Sequence, residues 1–326
     1  MRRGLRQSAA AVPLVVFLVL SAVPLAASAQ DFLILTVYYF LLAASWNLLA
    51  GFTGQYSFAQ AGLAACGAYV AGIVAIRMAW PIWTGFIVSP LVGLLVGVGL
   101  GLVALRVRGV QLSLITFAVA SAFGVFLSAD AELTGGSMGM QVPRLVEGSG
   151  HAIFLIVSGF AVSLYLFCQD RLLDSGFGLK MQAVRDEEAV AFGLGVNVYR
   201  IKVAAFALST AVAGFAGAFY ASYVGVLAPS MVSVTEMGTV VAMAVVGGLG
   251  YRYGALLGAF VLQAIAFLVR DFGAQYSLLI TSGLTLLVIL FFRAGLLSAS
   301  GTMLGRFRKP RSPWTGDPQV RSEPPA

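Results

Sequence analysis

The chain has 326 residues, of which 60% are apolar and only 10% charged, and its net charge is +7. That composition excludes a soluble globular domain and points to an integral membrane protein. Its apolar runs continue for about twenty residues without alternating, which favours helices over a barrel. Any nucleotide chemistry would have to come from a partner.

Ten spans are predicted, at roughly 8–29, 32–50, 56–76, 82–105, 110–129, 151–169, 200–223, 233–250, 254–269 and 274–292. Residues 1–300 are therefore read as one all-α transmembrane domain, and residues 301–326 as a disordered tail. With the N-terminus inside, every Lys and Arg except Arg77, Arg144 and Arg270 falls on the inner side, while Asp and Glu divide almost evenly. A Lys/Arg bias of this kind orients a membrane protein, so the basic excess speaks for topology and not for nucleic acid. Five spans precede the outer segment 130–150 and five follow it. An odd number per half inverts the second half relative to the first, a 5+5 arrangement common in transporters.

At the start, Arg2, Arg3 and Arg6, an apolar stretch and Ala27-Ser28-Ala29 resemble a secretory signal with its cleavage site. The apolar stretch, about 22 residues, is long enough to span, which favours a retained first helix. The first polar interruption is Ser45–Gly62, where Asn47, Gln55, Ser57 and Gln60 break an apolar region punctuated by Gly51 and Gly54. Either helices break or pack closely there beside a pathway, or a tight turn lets the amides cap one another. Cys66 and Cys168 sit in or at the end of spans and read as small packing residues. The inner turn Arg106–Ala118 carries Gln111, Ser113 and Thr116, which need hydrogen-bond partners within hydrocarbon. Outside, Leu133-Thr134-Gly135-Gly136-Ser137-Met138-Gly139-Met140 reads as a mobile loop that meets a delivery protein or simply turns the chain. His151, the only histidine, follows it.

The most informative stretch is polar. Between Gln169 and Lys202 lie Asp170, Arg171, Asp174, Lys180, Arg185, Asp186, Glu187, Glu188 and Arg200. Lys180 to Phe192 has good helix formers and neither Pro nor Gly, and Gly193 and Gly195 close it. One short amphipathic surface helix is predicted, with Asp186, Glu187 and Glu188 in its first half, where the helix dipole favours them. Val184, Ala191 and Leu194 supply a small apolar face for a partner. Further on, Gly247-Gly248-Leu249-Gly250-Tyr251-Arg252-Tyr253-Gly254 is a Gly-dense inner turn, suited to a gate or a plain reversal. The tail carries Arg306, Arg308, Lys309 and Arg311, which hold the final span inside and touch anionic lipid.

These stretches, in this order, resemble the LivM-type permease subunit of branched-chain amino-acid ABC importers, over about Ser45 to Gly258. The resemblance implies a ten-helix permease of the vitamin B12-importer architecture in a bacterial inner membrane, with both termini cytoplasmic. It implies a second homologous permease subunit, two cytoplasmic ATPases and an extracytoplasmic binding protein. No cofactor is expected on this chain, because Mg-ATP would act on the ATPases. The loop 170–200 would hold the ATPase-coupling helix, with Arg185, Asp186, Glu187, Glu188, Gly193 and Gly195 in it. Asn47, Gly51, Gly54, Gln55, Ser57, Gln60, Gln111, Thr116, Gly247 and Gly250 would line or gate the pathway. Phe192 departs from the family, which often has an acidic or small residue there. Similar permeases serve urea or short amides, and the residues do not exclude that cargo.

Two other classes come into question. An ion-coupled transporter needs an ionisable group in mid-membrane, and here Glu236 and Asp130 come nearest. A membrane enzyme finds no support, since the sequence holds one histidine and no HExxH.

Overall fold

A computed structural model describes residues 12–21, 26–104, 107, 109–146, 151–270 and 283. The predicted tenth span and the tail lie outside the described residues. The architecture is all-α: α1 (Val12–Ser21), α2 (Ala27–Thr53), α3 (Gln60–Arg77), α4 (Gly85–Ala104), α5 (Val110–Ala129), the single turn α6 (Ala131–Thr134), α7 (His151–Leu173), α8 (Gly176–Asp186), α9 (Glu188–Gly193), α10 (Val198–Val224), α11 (Val234–Gly247) and α12 (Gly254–Val269). Six helices are long and apolar enough to cross a membrane, by length and composition: Ala27–Thr53, Gln60–Arg77, Ile82–Val103, Val110–Ala129, Ala152–Leu173 and Val198–Val224. Val12–Ser21, Val234–Gly247 and Gly254–Val269 are apolar but shorter. The signal-like Ala27-Ser28-Ala29 forms the first turn of α2.

α10 is the centre of the bundle and packs against α4, α3 and α2. Small residues make this possible, because lipid offers no hydrophobic drive and helices gain only by close backbone approach. A Cβ on Gly217 would lie 1.9 Å from Ala64 O, and one on Gly67 would lie 2.6 Å from the Gly214 Cα. Ser89 in α4 donates to Gly67 O at 2.7 Å, tying the third helix into the same seam. Gly217→Leu should therefore force α3 and α10 apart, an overpacking that lowers the melting temperature in detergent by at least about 5 °C. Gly238→Ala, where a Cβ meets nothing within 4 Å, should leave it unchanged. Equal melting for both variants would refute the seam.

Residues 130–146, expected as a mobile loop, carry regular structure. Asp130 Oδ1 accepts from Leu133 N at 3.0 Å and caps α6, and Thr134 donates to Leu127 O at 2.7 Å. Met140–Gln141 (β1) then pairs antiparallel with Val226–Leu227 (β2), Met140 opposite Leu227 and Gln141 opposite Val226. The glycines read as a sign of mobility serve this turn instead, with Gly135 and Gly139 at positive φ.

Candidate functional site

The polar segment folds as two short helices and not as the one predicted. Ser175 caps α8, its hydroxyl accepting from Gly178 N at 3.3 Å, so the helix starts four residues before Lys180. It stops at Asp186. Glu187 is extended, with φ −160° and ψ 108°, and serves as the N-cap residue of α9. Of the acidic trio, only Glu188 lies in the first turn of a helix. Asp186 stands at the C-terminal end of α8, where the helix dipole disfavours it, and Arg185 offsets this at 2.7 Å. Gly195 turns the chain at φ +80°, and Asn197 Oδ1 accepts from Arg200 N at 3.0 Å to start α10.

The expected partner face also needs correction. Val184 and Ala191 are each only 1% exposed and belong to an internal cluster with Leu48, Leu49, Phe52 and Phe206. Besides Leu179 of α8, the large apolar side chains left outside are Val190 (59% exposed), Phe192 (74%) and Leu194 (77%). Three large apolar groups within five residues of a polar segment are costly in water unless something covers them.

The inner side of this segment is tied to two distant parts of the chain. Arg185 Nη1 donates to Gly51 O at 2.9 Å, at the end of α2. Asn47, one turn earlier, accepts from Gly250 N at 2.9 Å and donates to Tyr251 O at 3.0 Å. A Cβ on Gly51 would sit 2.2 Å from Asn47 Oδ1 and 2.5 Å from Gly250 N. The end of α2, the α11–α12 turn and the end of α8 thus meet in one knot. Arg252, in the same turn, pairs with Asp170 at 2.7 Å and with Asp174, both flanking the end of α7. Burial works against the Arg252 charge, but these two carboxylates outweigh it and raise its pKa. Glu188 pairs with Lys202 at the start of α10.

Of the predicted pathway residues, Asn47, Gly51 and Gly250 meet Arg185 here. Gly54 caps α2 in the left-handed conformation at φ 70°. Gln55 is buried, its Nε2 donating to Thr53 Oγ1 at 2.9 Å while its Oε1 has no partner. Gly247 packs against the Gly254 carbonyl within the α11–α12 hairpin. Ser57, Gln60 and Thr116 bond instead around the start of α3. There Gln60 donates to Ser209 at 2.7 Å, Ser209 to Ser45 O at 2.6 Å, and Thr116 Oγ1 accepts from Phe58 N at 3.0 Å. These bonds join α2, α3 and α10, as the helix-to-helix reading of such residues requires, and tie α5 to the turn before α3. Gln111 is exposed and joins neither group; Gly193 is exposed too, with open space around it. Sequence reasoning missed Tyr251, Arg252, Asp170 and Ser209; the cluster of acidic residues facing a lone inner-turn arginine was the available signal for two of them. Among the described residues, no three His, Cys, Asp or Glu converge to hold a metal.

The family model for the branched-chain amino acid transport system permease component matches residues 28–291. This chain belongs to that family. The permease is 31% identical over 295 residues to the high-affinity branched-chain amino acid transport system permease protein LivM of Escherichia coli, covering 82% of this chain and 69% of that one. It is 28% identical over 284 residues to LivH of the same organism and transport system, covering 79% and 91%. Over 207 residues it is 28% identical to the autoinducer 2 import system permease protein LsrC of Yersinia enterocolitica, covering 60% and 57%. No solved structure matches the permease. It is an all-α, multi-pass membrane protein similar to LivM, as the resemblance read from its sequence implies.

Proposed function

We propose that this permease is a transmembrane subunit of an ATP-driven importer of branched-chain or other hydrophobic amino acids. It forms half of a translocation pathway and takes its power from two separate cytoplasmic ATPases. Its similarity to both LivM and LivH supports pairing with a second, homologous permease subunit. A binding protein would deliver cargo from the far side, and Mg-ATP would be hydrolysed by the ATPases alone. In this reading the chain has ten spans in a 5+5 inverted arrangement in a bacterial inner membrane, both termini are cytoplasmic, and residues 170–200 are the coupling loop.

The observation that carries the proposal is the two-sidedness of α8 and α9. Outward, Val190, Phe192 and Leu194 are uncovered. Inward, Arg185 grips the end of α2 beside the α11–α12 turn. A push on the outer side would reach three helices through hydrogen bonds to backbone, which move with the helices and not with a flexible side chain. The Arg185–Asp186 pair itself contributes little, since exposed ion pairs are worth about 0–1 kcal/mol.

In proteoliposomes holding the complete importer, leucine uptake should require ATP and persist when an uncoupler collapses the proton gradient. Uptake that stops with the uncoupler at constant ATP would overturn the proposal in favour of ion coupling.

A further inference from the structure

Far from the knot, roughly 18 Å along α2 from Gly51, lies an open cleft of about 90 Å³ that the coupling reading does not use. Tyr38 and Tyr39 of α2, Tyr220 of α10, Ser230, Met231 and Glu236 of α11 line it. The Tyr39 hydroxyl donates to Glu236 Oε2 at 3.1 Å. Glu236 lies in the first turn of α11, where the helix dipole favours a negative charge. Its own backbone N–H is capped by Ser233 at 3.2 Å. Among the described residues no Lys or Arg pairs with this carboxylate. The ring centroids of Tyr38 and Tyr39 are 5.1 Å apart, and those of Tyr38 and Tyr220 4.8 Å.

A carboxylate without a cation, among three tyrosines and open to one side, fits a small positive group. An ammonium would gain a charge-assisted hydrogen bond from Glu236 and cation–π attraction from the rings. A neutral amide or sugar would gain much less. We propose that this cleft receives the α-ammonium of the amino acid on its way through the permease, with Glu236 as the binding group and Tyr39 as the residue that positions it. The inference rests on the amino-acid reading above and deepens it. The cleft holds about three waters' worth of space, so it takes the ammonium head and leaves the apolar side chain in the opening.

The test uses the complete importer in proteoliposomes and measures labelled leucine taken up per ATP hydrolysed. Glu236→Gln keeps the size and the acceptor but removes the charge. It should lower uptake per ATP at least about tenfold, while binding-protein-stimulated ATP hydrolysis stays within twofold of the parent. Glu236→Asp should recover part of that loss. If Glu236→Gln fails to assemble, Tyr39→Phe, which keeps the ring, carries the same test with a smaller loss. Wild-type uptake per ATP in Glu236→Gln or, failing its assembly, in Tyr39→Phe overturns this inference and leaves the amino-acid reading standing. A parent importer that moves only neutral cargo such as urea overturns both.

Discussion

Gly51→Ala is expected to lower leucine uptake at least about tenfold, although it adds a single methyl group. That methyl would lie 2.2 Å from Asn47 Oδ1 and 2.5 Å from Gly250 N. The first atom ends a short side chain already held by two hydrogen bonds, and the second is backbone. Relief therefore requires the α11–α12 turn to move by about 1 Å away from α2, since ordinary contacts need about 3.5 Å. Such a shift breaks the Asn47–Gly250 bond, and with it goes the register in which Arg185 reaches Gly51 O. Overpacking of this kind costs roughly 1–3 kcal/mol, which a folded bundle survives with a lower melting temperature. Transport should suffer more than stability, because the turn and α8 would no longer move together. The check is leucine uptake and ATP hydrolysis of the reconstituted importer, beside the melting temperature of the purified complex. Uptake should fall while stimulated hydrolysis continues. Gly99→Ala, at an exposed position of α4 with open space around it, serves as the control and should behave like the parent. Parental uptake by Gly51→Ala would mean that the knot transmits nothing.

Asn47 sharpens the same argument. Asn47→Leu fills a similar volume but leaves Gly250 N and Tyr251 O without partners, at about 1–3 kcal/mol for each group shut away from water. Asn47→Asp can still accept from Gly250 N but has nothing to donate to Tyr251 O.

Much of this was legible in the sequence. Eight of the ten predicted spans, from 32–50 to 254–269, coincide with helices among the described residues, because continuous apolar runs broken by Gly and polar residues leave little choice in lipid. The segment from Asp170 to Lys202 stood out too, because it gathers ten of the chain's 33 charged residues. What local pattern could not supply was the internal form of that segment. Nothing around Glu187 stops a helix, and the break arises where α8 and α9 both settle onto one cluster under α2 and α10. In a single helix Val184 and Ala191 would stand roughly 10 Å apart along the axis; with the bend, both belong to one buried cluster with Leu49 and Phe206. The partner face was misassigned for the same reason. Apolar residues on a surface helix serve either the chain's own core or a neighbour, and periodicity does not separate the two. Met181, Val184 and Ala191 went inward, while Val190, Phe192 and Leu194 stayed outside. The knot was out of reach altogether: Asn47 and Gly250 are 203 positions apart, Gly51 and Arg185 134. Composition marked each as unusual, but only the fold brings them together.

Charging the exposed apolar group should separate the permease from the ATPases proposed for it. Phe192→Asp and Leu194→Asp each put a carboxylate where an aromatic or branched side chain now stands uncovered. If Phe192 enters a groove on the ATPase, it is the type of anchor whose loss costs about 2 kcal/mol or more, roughly thirtyfold in Kd. Burying a charge in its place adds to that cost. The double variant should therefore lose nearly all ATPase on copurification, and with it uptake. Insertion and the melting temperature of the permease should hold, because neither side chain touches its core. Glu187→Lys is the companion test: its carboxylate is exposed, so a weaker complex there reports on the partner alone. Glu188→Lys is less clean, because it also breaks the pair with Lys202 that fastens α9 to α10. Full ATPase recovery by the Phe192 and Leu194 double variant would move the docking surface elsewhere, and α8 and α9 would then be a solvated loop that merely obeys the charge rule of its membrane side.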